Sequence, residues 1–192
     1  MKINILRNLI AALFLVSIFS ACDLFNKDEN NKPIDQYLVS YKKETVYLTP
    51  LISGILNPMK NKFPGIAPIL DKIKYSVAVY KITYTTSFNN KDIIASGLVC
   101  VPTSTNSLAV LSYQNGTNTL HKDAPSVNPN SELFIMLKFI ASTGFVVTIP
   151  DYLGFGTSEQ MFHPYLDGES TVRTVIDMQR AVKELTKNHL DV

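Results

Sequence analysis

The sequence predicts an α/β protein in which an antiparallel hairpin feeds parallel strands with flanking helices, and three observations lead to that reading. Residues Tyr75 to Thr86 alternate, with Val77, Val79, Lys81 and Thr83 set against Ala78, Tyr80, Ile82 and Tyr84, which is the period of a β-strand. Two later runs, Leu108 to Tyr113 and Phe145 to Ile149, are continuously apolar, as strands covered on both faces are. Each is followed by a helical pattern, and strand, helix, strand and helix in that order imply right-handed crossovers in a parallel sheet.

Composition narrows the field. The chain has 192 residues, 46% hydrophobic and 18% charged, with 18 Lys and Arg against 16 Asp and Glu. That balance excludes an extended disordered protein and a strongly charged nucleic-acid binder. A body of this size buries roughly two thirds of its unfolded surface, enough for one real core. Two cysteines, Cys22 and Cys100, are too few for a disulfide scaffold.

At the N terminus, Lys2 and Arg7 precede an uncharged apolar run from Leu9 to Phe19, far short of the ~20 residues that span a bilayer. It reads as the core of a secretory leader. Ordinary cleavage after Ala21 would put the bulky Phe19 where a small residue is wanted. Ser20-Ala21-Cys22 instead resembles a bacterial lipobox, with Phe19 in place of the usual Leu. The resemblance implies that Cys22 is acylated, becomes the first mature residue, and anchors an extracytoplasmic protein to a bacterial membrane, with the outer membrane or cell surface as candidates. A plain cleaved leader, or an uncleaved anchor with Cys22 an incidental thiol, is the alternative. Residues 22–46 read as a flexible tether, polar and aperiodic at their start. Within it Lys27-Asp28-Glu29 resembles the acidic export signal of surface lipoproteins and reads equally as solvated linker.

Residues 47–74 contain Pro50, Pro58, Pro64 and Pro68 among apolar positions, giving two short helices opened by Thr49-Pro50 and broken at Asn57-Pro58 and Pro64-Gly65. Phe88 to Lys91 is a turn, and Ile93 to Val101 the second strand of a hairpin, with Cys100 a small buried residue. Asn128-Pro129 opens a helix that Gly144 closes. A last helix, from about Ser170 to Asn188, places Val172, Val175, Ile176, Gln179, Val182 and Leu185 on one side.

No Cys-x-x-Cys, His-Glu-x-x-His or phosphate loop is present, and Gly154 and Gly156 lack the third glycine of a dinucleotide loop, so no metal or cofactor is expected. Gly-x-Ser-x-Gly is also absent. Two segments nevertheless lie beyond strand ends, where open α/β sheets place their sites. They are Tyr113-Gln114-Asn115-Gly116-Thr117, and Pro150-Asp151-Tyr152-Leu153-Gly154-Phe155-Gly156 running on to His163-Pro164-Tyr165.

Together these motifs resemble the α/β-hydrolase superfamily, in its secreted lipase and esterase branch, over about Tyr75 to Asn188. The resemblance implies an incomplete hydrolase core over 75–192 with strand order 1-2-4-3. Asn115, Gly116 and Thr117 would form the oxyanion-hole loop, with Thr117 giving one backbone N–H; Asn115 departs from the usual His. Asp151, Tyr152, Gly154, Gly156 and His163 would wall the pocket, with His163 structural and not the catalytic base. The nucleophile, acid and base of the family fall beyond this chain, so none of its residues is catalytic and the chain alone is expected to be inactive. An ester or lipid substrate is implied for the completed protein. Asp151, Glu159, Asp167 and Glu169 fall in a stretch free of Lys and Arg, from Phe139 to Val172, and read as a solvated acidic loop before a cation site. A non-catalytic surface lipoprotein that binds a ligand or partner chain is the second reading.

The leader generates a direct test. Cells fed a clickable fatty acid should label the wild-type chain and leave Cys22→Ser unlabelled; equal labelling of both would remove the anchor from Cys22.

Overall fold

In the computed structural model, which describes residues 34–104 and 106–190, five strands form one sheet: β1 (Leu38–Tyr47), β2 (Val77–Phe88), β3 (Lys91–Pro102), β4 (Ala109–Ser112) and β5 (Phe145–Pro150). Four helices accompany them: α1 (Thr49–Met59), α2 (Ala67–Leu70), α3 (Glu132–Ile140) and α4 (Gly168–His189). The leader and Cys22 lie outside the described residues.

The sheet order is β1-β2-β3-β5-β4. The expected order 1-2-4-3 is thereby corrected: the four foreseen strands are β2, β3, β5 and β4, and a fifth, β1, stands outside them. β1 pairs antiparallel with β2 where the sequence predicts the end of the tether, and it includes Tyr47, the first residue of the stretch predicted to be helical. Only Leu38 of its ten residues is buried, so the strand has no hydrophobic pattern to betray it. Its backbone supplies partners to the edge of β2, while Lys42, Lys43 and Glu44 place charge on the outer edge, a common guard against further pairing.

β2 and β3 form an unbroken antiparallel ladder from Val77↔Pro102 to Phe88↔Lys91. The turn between them has Asn89 and Asn90 at φ 50° and 59°, the left-handed pair of a two-residue hairpin turn, which Asn tolerates better than most residues. β3 pairs antiparallel with β5, and β5 parallel with β4. Leu108 to Tyr113 was expected to be buried on both faces. β4 is instead half exposed, with Val110 at 50%, because β5 is its only strand neighbour among the described residues.

Alternation sorts the core into two layers. Ala78, Tyr80, Ile82, Tyr84, Val99 and Val101 pack against Met178, Ala181, Val182 and Leu185 of α4. Val77, Val79, Leu98, Cys100, Val147 and Ile149 face Ile52 and Leu56 of α1 and Phe134, Leu137 and Phe139 of the α3 region. Cys100 is fully buried, and burial pushes its thiol up to about 12, so it packs as an inert small residue.

Helix ends differ in detail from expectation. Leu48, not Thr49, is the N-cap of α1, and the helix runs through Asn57-Pro58 because Pro58 falls in its last turn. α3 starts at Glu132, where the Ser131 hydroxyl accepts from the Phe134 N–H, so Asn128-Pro129 belongs to the preceding turn. Gly144, at φ 112°, does close this segment after a 3-10 turn over Ala141–Thr143. The Asp167 carboxylate caps α4 by accepting from the Ser170 N–H. The buried face of α4 is rotated from the expected one: Thr174, Asp177, Met178, Ala181, Val182 and Leu185 point inward, and Val172 and Ile176 outward. Two polar residues can be buried because Thr174 donates to the Ser170 carbonyl and Asp177 accepts from the Thr86 hydroxyl.

Gly97 lets the sheet and α4 approach closely. A Cβ there would stand 2.7 Å from the Ile149 carbonyl oxygen and 2.8 Å from the Met178 methyl. Gly97→Ala should therefore destabilise the fold by about 1–3 kcal/mol and lower the thermal midpoint by roughly 3–10 °C. An unchanged midpoint by circular dichroism would contradict the packing described.

Candidate functional site

The parallel strands β4 and β5 end side by side, and the loops leaving their carboxyl ends meet there. Asp151 follows β5 and is fully buried. Its carboxylate accepts from the Ser96 hydroxyl at 2.5 Å, the Ser126 N–H at 2.7 Å and the Ser126 hydroxyl at 2.5 Å. Ser96 belongs to β3 and Ser126 to the connection between β4 and α3, so one side chain joins three segments. The Ser96 oxygen in turn accepts from the Thr157 N–H at 2.8 Å, which brings in the loop after β5. A second tie runs from the Asn115 amide to the Pro150 carbonyl at 3.1 Å.

Burial pushes the Asp151 carboxyl above its ordinary 3.8, opposed by the hydrogen bonds from Ser126 and Ser96 and the distant charge of Lys81. The loop is shaped around this group. Gly156 has φ 56°, and a Cβ there would collide with both the Asp151 carboxylate and the Ser96 hydroxyl. Gly154 has φ 84°, with the backbone of His163 so close that a Cβ would stand 2.6 Å from its Cα. Tyr152 is also left-handed, at φ 67°, a conformation that costs a bulky residue of order 1–3 kcal/mol and is held by the ties on either side.

His163 Nδ1 lies 2.6 Å from the Leu153 carbonyl, an acceptor, so Nδ1 carries a hydrogen and donates. Its ring stands between those of Phe155 and Tyr165, at 4.8 and 6.0 Å. Asn115, Gly116, Thr117, Tyr152, Phe155, His163 and Tyr165 line one shallow hollow of about 150 Å³. Ordinary ligand pockets hold roughly 300–1,000 Å³, so the hollow by itself is smaller than a usual ligand pocket. A larger cleft of about 670 Å³ lies at the other end of the sheet, beside Lys43, Tyr80 and Pro102, where nothing resembling a catalytic group gathers.

The structure thus brings together Asn115, Gly116, Thr117, Tyr152 and His163 at the hollow and puts Asp151, Gly154 and Gly156 beneath it. Gly116 carries no left-handed strain, and no protein atom lies within 4 Å of where its Cβ would stand, so packing within this chain does not demand glycine there. Ser96 and Ser126 were missed as partners of Asp151. Ser96 gives one faint signal, a lone hydroxyl inside an apolar strand; Ser126 gives none, since only the fold carries it to Asp151. Among the described residues no serine hydroxyl is hydrogen-bonded to a histidine: Ser158 donates to the Phe155 carbonyl and Ser170 to that of Asp167.

No protein-family model matches the chain, and no curated protein sequence does. Solved structures do. A Legionella pneumophila protein assigned as a hydrolase superposes with a TM-score of 0.64 and 32% identity, over 79% of this chain and 40% of that one. The rice cell wall degrading esterase LipA from Xanthomonas oryzae, in its N228W form, matches at 0.65 and 25% identity, over 81% and 39%. The fold is α/β-hydrolase-like. Candida antarctica lipase A in its closed state shares that fold at 0.50 and 16% identity, over 78% of this chain and 32% of its own. The chain therefore spans about 40% of the length of the first two hydrolases it matches.

Asp151 generates a pH test. A carboxyl whose folded pKa is raised contributes stability that is complete below 3.8 and is lost as pH rises through the folded value. The stability of wild type over Asp151→Asn, from urea unfolding between about pH 3 and 7, should be greatest at the acid end and decline upward. An advantage that grows with pH would mean that the ionised form is the favoured one.

Proposed function

We propose that this chain is the N-terminal portion of a lipid-anchored, extracytoplasmic α/β-hydrolase of the lipase or esterase kind, acting on carboxylic esters through a serine beyond residue 192. The observation that carries the reading is the double tie between the loops after β4 and β5, from Asn115 to Pro150 and from Ser126 to Asp151. It fixes Gly116 and Thr117 beside an aromatic wall at the carboxyl edge of the sheet, where hydrolases of this fold build their sites. The likeness to the Legionella and Xanthomonas proteins supports the same class.

In the completed protein the serine attacks the ester carbonyl with a histidine as base, and the negative charge develops on the carbonyl oxygen. The Thr117 N–H, held by this loop, donates to that oxygen, an interaction worth ~3 kcal/mol in such sites. Asp151 acts on the protein alone, by holding the loops in register.

One other reading is a surface lipoprotein that binds a ligand or partner chain without turnover. One experiment separates the two. The 192-residue chain should show no hydrolysis of short nitrophenyl esters above a boiled control and no labelling by a fluorophosphonate. Extension through the downstream reading frame should restore both, and Gly116→Val should then lower kcat/KM roughly 100-fold. An extended protein that stays silent would favour the binding reading. Specific labelling of the short chain would overturn both, since Ser158 or Ser170 would then be an activated nucleophile.

A further inference from the structure

The segment from His163 to Asp167 borders the hollow and is fixed at both ends. At its start the His163 ring is tied to the Leu153 carbonyl, and its backbone lies close against Gly154. At its end the Asp167 carboxylate caps α4 by accepting from the Ser170 N–H. Pro164, Tyr165 and Leu166 stand between these two posts. The Tyr165 N–H donates to the His163 carbonyl at 2.8 Å and the Asp167 N–H to that of Pro164 at 3.1 Å, so the segment is a tight turn.

The turn carries a cost that nothing within it offsets. Leu166 is its third residue and has φ 65°, a conformation that turns ordinarily give to Gly or Asn. The side chain is 88% exposed, so burial returns nothing for the strain. One contact reaches from the turn to the loop that follows β4: the Tyr165 hydroxyl lies 3.4 Å from the Thr117 hydroxyl, in an exposed position. Tyr165 and Leu166 line the hollow together with Asn115, Gly116 and Thr117, so this contact joins two of its walls. A neutral hydrogen bond of that length, open to water, contributes little, and strain of the kind seen at Leu166 is at least as large.

We propose that Pro164-Tyr165-Leu166 is a gate on the hollow with two conformations of similar free energy. In the one described, Tyr165 is latched to Thr117 and the hollow is held to about 150 Å³. In the other the latch is broken, Leu166 relaxes to a negative φ, and the turn moves away from the loop of Asn115, Gly116 and Thr117. Strain at Leu166 favours opening and the latch opposes it. A ligand reaches Thr117 through the open state, so its apparent affinity scales with the open fraction. Tyr165 and Leu166 therefore govern access in opposite senses. The gate takes its purpose from the hydrolase reading above and rests on it there, but the two conformations can be tested without turnover.

Two substitutions should move the balance in opposite directions. Tyr165→Phe removes the latch and keeps the ring, whereas Leu166→Gly keeps the turn and removes its strain. Leu166→Asn, which tolerates the same φ with less added flexibility, should act as Leu166→Gly does. In the isotope-labelled 192-residue chain, the Gly116 and Asp167 amides should show exchange between two environments by relaxation dispersion. The ratio of open to closed molecules should rise about threefold in Tyr165→Phe and fall about threefold in Leu166→Gly, with the two amide resonances displaced in opposite directions. Thr117→Val should match Tyr165→Phe, and the double variant should add nothing, because both remove one contact. In the protein extended through the downstream reading frame, kcat/KM for nitrophenyl butyrate should follow the open fraction, up about threefold and down about threefold. Absence of exchange at both amides, or displacement of the two variants in the same direction, overturns the gate. An active extended protein with one kcat/KM in all three forms overturns it as well. If the extended protein is silent while the amides respond as stated, the gate stands and the hydrolase reading falls.

Discussion

The buried carboxylate of Asp151 is the constraint on which the rest of the candidate site depends. A charge removed from water needs compensation, and here two serine hydroxyls and one backbone N–H supply most of it, with a smaller contribution from the charge of Lys81. Those donors come from β3 and from the β4 to α3 connection, so the requirements of a single group dictate how three parts of the chain approach one another. Gly156 follows from the same need, because any side chain there would occupy the space of the carboxylate and of Ser96. The left-handed Tyr152 and the close approach of His163 to Gly154 are further consequences of a loop that must bend back over its own first residue.

The sheet beneath can afford this polar node because its two faces are otherwise almost wholly apolar. α4 covers one face and α1 with α3 the other, with Leu98 and Val99, neighbours in sequence, in different layers. Where polar groups enter these layers they bring partners: Asp177 with Thr86, Ser142 with the Phe139 carbonyl, Lys138 with Asn130 and the face of Tyr47. Tyr84 is the exception, a fully buried phenol whose oxygen has no partner and whose ionisation burial opposes strongly. It lies within the field of Asp151 and Asp177, and it accounts for none of the chemistry described.

Legibility in the sequence followed hydrophobic period. The alternation at Val77 to Tyr84 separated Ala78, Tyr80, Ile82 and Tyr84 from Val77 and Val79, which pack in different layers, and the runs at Leu108 and Phe145 located the parallel pair. What period could not carry was lost. β1 is held by backbone pairing at an edge and buries a single side chain, so its composition is that of a linker. The face of α4 was misjudged because Val172 and Ile176 outweigh Thr174 and Asp177 on any hydrophobic count, although partners elsewhere in the fold let the latter pair be buried. At the site, glycines and motif order located both loops, while the serines that bind Asp151 depend on contacts 25 and 55 residues apart. Glu184 is a similar case: three donors for one carboxylate come from a segment 146 to 148 residues away.

β4 is short, and Gln179 of α4 reaches across to it. The Gln179 amide donates to Ser112 of β4 and to Thr148 of β5, both at 2.7 Å, and these two residues face each other in the parallel ladder. Four residues of strand give little cohesion of their own, and the amide that clips them to β5 lies 67 residues further along the chain than Ser112. Closure of so long a loop is entropically costly, whereas the β2–β3 hairpin closes through a two-residue turn. Local closure therefore favours the hairpin, whereas the strand that carries Asn115, Gly116 and Thr117 at its end owes its place to partners far along the chain.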